Sequence, residues 1–202
     1  TPAFSQPCST LGQTPATAFP VCGTKVFQQT TVPFCVNNSN IIVPGCNNAV
    51  FEDKNPYYYK FTCYVSGTLG FVIAPAQPNE DYDWQLYDVT GLDPNQVFTN
   101  HNIIVSGNWA GNPASTGTSA SGSDGIQCAS SYTGNEPRFA KMPNLIAGHE
   151  YILLVSHFTD SQSGYSLTFT GGSAVITDPK EPHLEKATPD CDNNRKGLTA
   201  RA

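Results

Sequence analysis

The chain has 202 residues, a formal net charge of −6 at pH 7 and only 13% charged residues. Its 17 glycines, 16 prolines and 11% aromatic residues describe a turn-rich protein with enough apolar material for a core, which argues against disorder in the main body. Basic residues form no patch, so nucleic acid is a poor partner, and no apolar stretch is long enough for membrane insertion.

Three regions follow from composition along the chain. Residues 1–50 are rich in Thr, Ser, Asn, Pro and Gly with little periodicity, so we expect a disulfide-tied N-terminal segment packing on a sandwich. Residues 51–177 carry the strand patterns of the β-sandwich domain itself. Residues 178–202 switch to charged residues and three prolines, which predicts a linker and the start of a following domain.

The seven cysteines predict disulfides and an oxidising compartment, because none forms a CxxC pair and no histidine stands at zinc-ligand spacing. Cys191 lies alone in the charged tail and fits the beginning of a further domain. Among the connectivities open to the other six, our first choices are local bridges plus one long one. These bridges are Cys8–Cys22, Cys35–Cys46 and Cys63–Cys128.

Alternating apolar residues predict strands from Asn55 onward. Residues 57–65 and 69–73 indicate a β-hairpin, residues 81–88 a further strand, and residues 151–157 and 165–169 a closing pair. A loop is expected from Gly107 to about Glu136. No helical periodicity persists over three turns, so the predicted fold class is all-β: an antiparallel β-sandwich, jelly-roll-like, with long loops and very little helix.

The strand at 81–88 places Asp81 and Asp83 on the side away from Tyr82 and Trp84. Seven of the eleven acidic residues in 1–177 fall between Glu52 and Asp93, and such clustering causes repulsion unless a cation neutralises it. Calcium takes oxygen ligands at flexible geometry, which predicts a calcium site with Asp53, Asp81 and Asp83 as ligands. The alternative is a solvated acidic strand edge that discourages edge-to-edge pairing.

Exposed aromatic residues would suit carbohydrate, since sugars stack on aromatic rings. Tyr58, Asn108 and Trp109 are the candidate ligand-binding residues for surface glycans. Catalysis has weaker support: there is no GxSxG elbow, and His157 at a strand end is better explained as a core-edge histidine bonded to backbone. We therefore expect no enzyme.

The order of short motifs is also informative. They are Asn55–Phe61, Gly67–Phe71, Asp81–Asp88, Asn108–Gly111 and Ala147–Val155. Together they resemble the N-terminal β-sandwich domain of large Bacteroidota surface proteins associated with gliding motility and type IX secretion. More remotely, they are similar to bacterial pre-peptidase C-terminal domains. The resemblance implies export, an extracellular or cell-surface location, and a non-catalytic role in adhesion or display.

Three functional hypotheses result. The first is a non-catalytic extracellular adhesion or assembly module, calcium-stabilised, whose partners are other domains of the same long chain or neighbouring copies. The second is a carbohydrate-binding module. The third is a subunit of a head-to-tail filament in which a terminal segment adds a strand to a neighbour's sheet.

Overall fold

A computed structural model describes residues 6–21, 26–130 and 137–178. It is all-β, as predicted, with four short 3₁₀ helices at Pro15–Thr17, Pro44–Cys46, Pro94–Phe98 and His101–Ile103. The strands are β1 (Gln6–Pro7), β2 (Phe19–Pro20), β3 (Val26–Thr31), β4 (Cys35–Val43), β5 (Ala49–Lys54), β6 (Pro56–Thr62), β7 (Gly67–Thr68), β8 (Phe71–Pro75), β9 (Tyr82–Asp88), β10 (Ile104–Ala110), β11 (Thr116–Ser119), β12 (Ile126–Ser130), β13 (Phe139–Lys141), β14 (Asn144–Leu145), β15 (Glu150–His157) and β16 (Ser163–Phe169).

Eight of these strands form the jelly roll that the sequence predicts. One sheet has the order β3, β16, β8, β11, and the other has the order β6, β15, β9, β10, with antiparallel neighbours throughout. Successive strands of this set alternate between the two sheets except for β9 and β10, which are neighbours in one sheet, and this is the arrangement of a jelly roll.

Four further strands make the sheets mixed rather than purely antiparallel. β12 and β2 extend one sheet to six strands, and β13 extends the other to five; all three pair in parallel. A separate three-stranded sheet has the order β1, β4, β5, in which β1 is also parallel. The end of β10 and all of β11 and β12 lie within the region from Gly107 to about Glu136 that was predicted as one long loop, so the prediction of a single loop there is wrong.

The main core lies between the two sheets, on what we call the inner face of the six-stranded sheet. Tyr59, Trp84 and Leu153 project from that sheet toward Phe71 and Leu167 of the other. All five are fully buried, and each such side chain contributes about 1.5–3 kcal/mol when it leaves water. The period-two alternation of β6, β9 and β15 therefore fixes which residues face inward.

The hairpin of β4 and β5, inserted between the first two jelly-roll strands, covers the opposite or outer face of the six-stranded sheet. Ile41 and Phe51 of the hairpin pack there against Tyr87 and Leu154 in a second apolar cluster. The hairpin thus accounts for the packing of the N-terminal segment on the sandwich, whereas β3 from that same segment is a strand of the five-stranded sheet.

Two disulfides lie among the described residues, and neither matches a predicted pair. Cys8 bonds to Cys35, and Cys46 bonds to Cys128, which ties the end of the hairpin to β12. Cys63 is a buried free thiol whose Sγ lies 3.2 Å from the Val65 carbonyl oxygen. Nearness in sequence was a poor guide because the hairpin brings Cys46 against a strand 82 residues away.

Two cysteines named above, Cys22 and Cys191, lie outside the described residues, as does all but the first residue of the predicted linker at 178–202. Within the described ranges, no helix is long and apolar enough to cross a membrane.

Candidate functional site beneath the hairpin

The outer face of the six-stranded sheet carries an unusual group of polar side chains. Asp81 lies directly before β9. Asp83 and Gln85 are residues of β9 and project on the same side of the strand as Asp81. Asn108 of β10 is opposite Trp84, which puts the next residue, Trp109, on the outer face with Asp83 and Gln85. We call Asp81, Asp83, Gln85 and Trp109 the polar cluster.

Two donors of the polar cluster lack a partner among the described residues. The Gln85 Nε2 and Trp109 Nε1 atoms are both buried without a hydrogen bond. The other end of the Gln85 amide is engaged, since the Tyr87 hydroxyl donates to Oε1 at 2.7 Å. A buried donor without an acceptor costs about 1–3 kcal/mol, so this face is less favourably arranged than the inner one.

The two carboxyls of the polar cluster are held in a poor environment for charge. Asp83 is only 8% exposed, and burial, reinforced by the neighbouring Asp81 charge, raises its pKa well above the usual range. Burial also raises the pKa of Asp81 to about 6. β9 is a central strand between β15 and β10, so the predicted solvated acidic edge is wrong.

The three predicted calcium ligands lie at the outer face of the six-stranded sheet, Asp81 and Asp83 next to and in β9 and Asp53 in the hairpin that covers it. Asp53 of β5 is buried, and its Oδ2 accepts a hydrogen bond from the Tyr58 hydroxyl at 2.9 Å. Its charge also helps raise the pKa of Tyr87, although burial is the larger cause. Within the described ranges, no three His, Cys, Asp or Glu residues form a group that could hold a metal. Calcium binding therefore stays a prediction.

The predicted glycan-binding residues are buried, which corrects the expectation that they form an exposed platform. Tyr58 is fully buried beneath the hairpin, and the Trp109 ring packs against Phe51 with centroids 5.5 Å apart. Asn108 serves the backbone: its Nδ2 donates to the Pro137 carbonyl, and its Oδ1 accepts from the Ala110 amide.

A second polar group surrounds His157, at the end of β15. The His157 Nε2 lies 2.6 Å from Glu80 Oε2, and Ser161 Oγ donates to the other oxygen of Glu80. The imidazole stacks on Tyr82, with centroids 4.3 Å apart. Burial lowers the pKa of His157, and the Glu80 carboxylate partly opposes that shift.

This second group is arranged for structure rather than for nucleophilic chemistry. The serine bonds to the carboxylate instead of the imidazole, and the remaining His157 Nδ1 is buried without a partner among the described residues. A base needs a proton donor within reach in a space that admits substrate. Sequence reasoning expected a backbone bond for His157 and missed Glu80, whose only signal was an acidic residue in the turn before β9.

A shallow groove of about 230 Å³ lies at the other end of the sandwich, between residues 68–70, 169–172 and 174–177. Its lining carries no ionisable side chain. The groove can therefore accommodate a small or extended ligand, but its lining offers no acid, base or charged nucleophile.

Comparisons with known proteins assign no family. No protein-family model matches the chain, and no curated protein or solved structure matches it.

Proposed function

We propose that the chain is a non-catalytic adhesion or assembly module of an exported bacterial surface protein. The observation that carries this proposal is the pair of disulfides, of which Cys8–Cys35 joins two neighbouring strands of the three-stranded sheet and Cys46–Cys128 joins the hairpin to β12 of the six-stranded sheet. Such bonds persist in oxidising compartments and are rare where thiols are kept reduced. The resemblance of the strand motifs to gliding-motility-associated surface proteins points to the same compartment.

The arrangement of the polar residues supports a non-catalytic role. His157, which pairs with Glu80, lies inside the protein and stacks on Tyr82; it is not the only described histidine with a carboxylate partner, since the Nδ1 atom of the partly exposed His149 lies 2.7 Å from Asp88 Oδ2. The groove at the opposite end is lined by small, apolar and hydroxyl-bearing residues. Neither place combines an accessible cleft with an activated nucleophile, which is what a hydrolase needs.

Localisation tests the export part of the proposal. Intact cells of the source bacterium are treated with a membrane-impermeant biotin reagent, and the protein is then recovered with an antiserum against the purified domain. We expect labelling without permeabilisation and two disulfides that resist thiol alkylation until a reductant is added. Labelling that requires permeabilisation, or four alkylated cysteines at these positions, would contradict export.

Retention on surfaces tests the adhesion part. Beads coated with the oxidised domain are compared with beads coated with the Cys46→Ser/Cys128→Ser variant, which frees the hairpin from β12. We expect the oxidised domain to retain beads on cells or matrix and the variant to retain fewer. A glycan array run in parallel distinguishes a carbohydrate ligand from a protein one, and turnover of a substrate that His157→Ala abolishes would instead establish an enzyme.

A further inference from the structure

The loop that joins β15 to β16, residues 158–162, is held mainly by polar contacts. None of its side chains is buried, and Phe158 and Asp160 are exposed. Lys54 of β5 fixes one side of the loop, since its Nζ donates to the Phe158 carbonyl at 2.7 Å and pairs with the Asp160 carboxylate. Segments without buried apolar side chains open locally more readily than the core, so the closed loop depends on its polar contacts.

The other side of the loop is bonded to the buried pair of Glu80 and His157. Ser161 Oγ donates to Glu80 Oε1, and Glu80 Oε2 lies 2.6 Å from His157 Nε2. His157 is also the last residue of β15, so the loop begins at the next residue. A change at the imidazole therefore reaches the loop both through the chain and through Glu80.

A second proton on His157 has no acceptor among the described residues. Because the Glu80 carboxylate accepts at Nε2, the neutral imidazole keeps its proton there and its bare nitrogen is Nδ1. Nδ1 is buried without a partner among the described residues, and protonation would make it a buried N–H donor. Burial lowers the pKa of His157; Glu80 and Asp160 oppose that shift, and Lys54 adds to it.

From this cluster we propose that loop 158–162 is an acid-opened latch, released when His157 takes up a proton. At neutral pH the imidazole is uncharged and the loop stays bonded to Glu80 and Lys54. In mild acid the charged imidazole gains water as a partner only when the loop lifts, so protonation shifts the population toward the open loop. Opening also frees Lys54 and with it the end of β5 in the hairpin.

The carboxyls of Asp81 and Asp83 titrate with the opposite effect. The Asp81 amide donates to Thr159 Oγ1, and the Asp81 carbonyl accepts from the Phe158 amide, so this residue contacts the loop directly. Burial raises the pKa of Asp81 to about 6 and raises that of Asp83 as well. A closed form with raised carboxyl pKa values binds more protons than the open form, so both residues favour closure in acid.

The remaining titratable groups around His157 keep their charge state in mild acid. Tyr82 stacks on the imidazole, and Tyr165 packs against Tyr82. Both stay neutral, because burial raises the pKa of each phenol. Asp160 stays ionised, because its hydrogen bond with Lys54 lowers its pKa. Opening of the loop in acid would therefore report on His157.

Amide hydrogen exchange measured by NMR on the oxidised protein tests the proposal, with a chelator present so that no metal contributes. The Phe158 amide bonds to the Asp81 carbonyl and the Ser163 amide to Ser161 Oγ, so both report on the latch. Their protection factors should fall by about tenfold between about pH 7.5 and pH 5, because a hydrated imidazole has a pKa near 6.5. Thr170, at the other end of the sandwich, should keep its protection.

Two variants assign the response to one histidine. His157→Gln keeps a side-chain N–H for Glu80 and cannot titrate, so the pH dependence of protection in the loop should vanish. The matched control is His149→Gln, which removes another histidine with a carboxylate partner, Asp88. This control should show the same fall of about tenfold as the wild type.

Equal protection at both pH values in the wild type overturns the proposal, as does a His157→Gln variant that responds like the wild type. If that variant does not fold, the imidazole signals of the wild type decide. Their midpoint should lie below about pH 6.5, and the loss of protection should fall between that midpoint and about pH 6.5. A midpoint at or above about 6.5, or a loss of protection without titration of His157, overturns the proposal. This inference goes beyond the proposed function, since surface labelling and bead retention involve no change of pH.

Discussion

Leu153 and Leu154 are neighbours in β15 and are both fully buried, but they lie on opposite faces of the six-stranded sheet. On the inner face of Leu153, the nearby polar atoms are paired: Trp84 Nε1 donates to Thr116 Oγ1, and the Tyr59 and Tyr165 hydroxyls bond to each other. The outer face of Leu154 carries the polar cluster and its unpaired donors.

The difference shows that burial alone does not make a face stabilising. The inner face joins two sheets of the jelly roll with apolar contacts, and around Leu153 the buried donors of Trp84, Tyr59 and Tyr165 are hydrogen-bonded. The outer face is covered by an inserted hairpin that is fastened to β12 by a disulfide. We infer that the hairpin layer is the less stable unit and opens first, as segments with weaker packing do.

The largest expected effect comes from truncating the two leucines. Leu→Ala in a core costs about 2–5 kcal/mol, and the cost is lower where the surroundings can relax into the cavity. Leu153→Ala should lower the free energy of unfolding by about 4 kcal/mol and Leu154→Ala by about 2, measured by urea unfolding of the oxidised proteins. Equal losses, or a larger loss for Leu154→Ala, would contradict the comparison.

Removing the Cys46–Cys128 disulfide tests how far the hairpin layer depends on it. A disulfide that closes a long loop typically contributes 2–4 kcal/mol, about as much as the larger leucine effect. Cys46→Ser/Cys128→Ser should lower the free energy of unfolding by about 3 kcal/mol and speed amide exchange in β4 and β5 before the inner strands. The control is Cys8→Ser/Cys35→Ser, because the Cys8–Cys35 disulfide that it removes closes a shorter segment of the chain. Uniform acceleration across both faces would argue against a separate hairpin layer.

Calcium would change the stability of the outer face alone, because the carboxylates that it would neutralise lie on that face. If Asp81 and Asp83 bind the ion, a hundredfold excess over Kd adds about 2.7 kcal/mol of stability. Thermal unfolding with calcium and with a chelator should show a shift that disappears in Asp81→Asn. The absence of any shift would remove the calcium prediction and leave the rest of the account unchanged.

A smaller effect is expected from pH. Burial holds the pKa of Asp83 above its unfolded value near 3.9. Between the unfolded and the folded pKa, the folded state therefore binds more protons than the unfolded state. Stability from this group is complete below about pH 4 and falls as pH rises through the folded pKa. Asp83→Asn should match the wild type at pH 4 and exceed its melting temperature by about 3 °C at pH 8. The same difference at both pH values would refute a buried, titrating Asp83.

The sequence predicted the jelly roll because its long strands alternate strictly, as at Tyr57, Tyr59 and Phe61. The same alternation separated Tyr82 and Trp84 from Asp81 and Asp83. It could not show what covers the second side, because the hairpin reaches that face through contacts distant in the chain. For this reason Asp83 and Trp109 were expected to be exposed, and the pairing of Cys46 with Cys128 was missed.

Burial of Trp109 and the link between Glu80 and His157 also depend on tertiary contacts. Glu80 and His157 are 77 residues apart and meet only when β9 and β15 pair. A single acidic residue in a turn gives no signal of its eventual partner. The polar cluster could thus be located on one strand from sequence, but its depth and its unpaired atoms could not.

The two tryptophans provide the most direct test of the central claim, that the indole donor of the outer-face Trp109 is buried without a partner among the described residues whereas that of the inner-face Trp84 is hydrogen-bonded. Trp84→Phe and Trp109→Phe delete the same atoms from two buried sites, and urea unfolding compares their costs. Trp84→Phe also breaks a hydrogen bond to Thr116, so it should lower the free energy of unfolding by about 2–3 kcal/mol, whereas Trp109→Phe should cost less than about 1. Equal costs, or a larger cost for Trp109→Phe, would contradict the account.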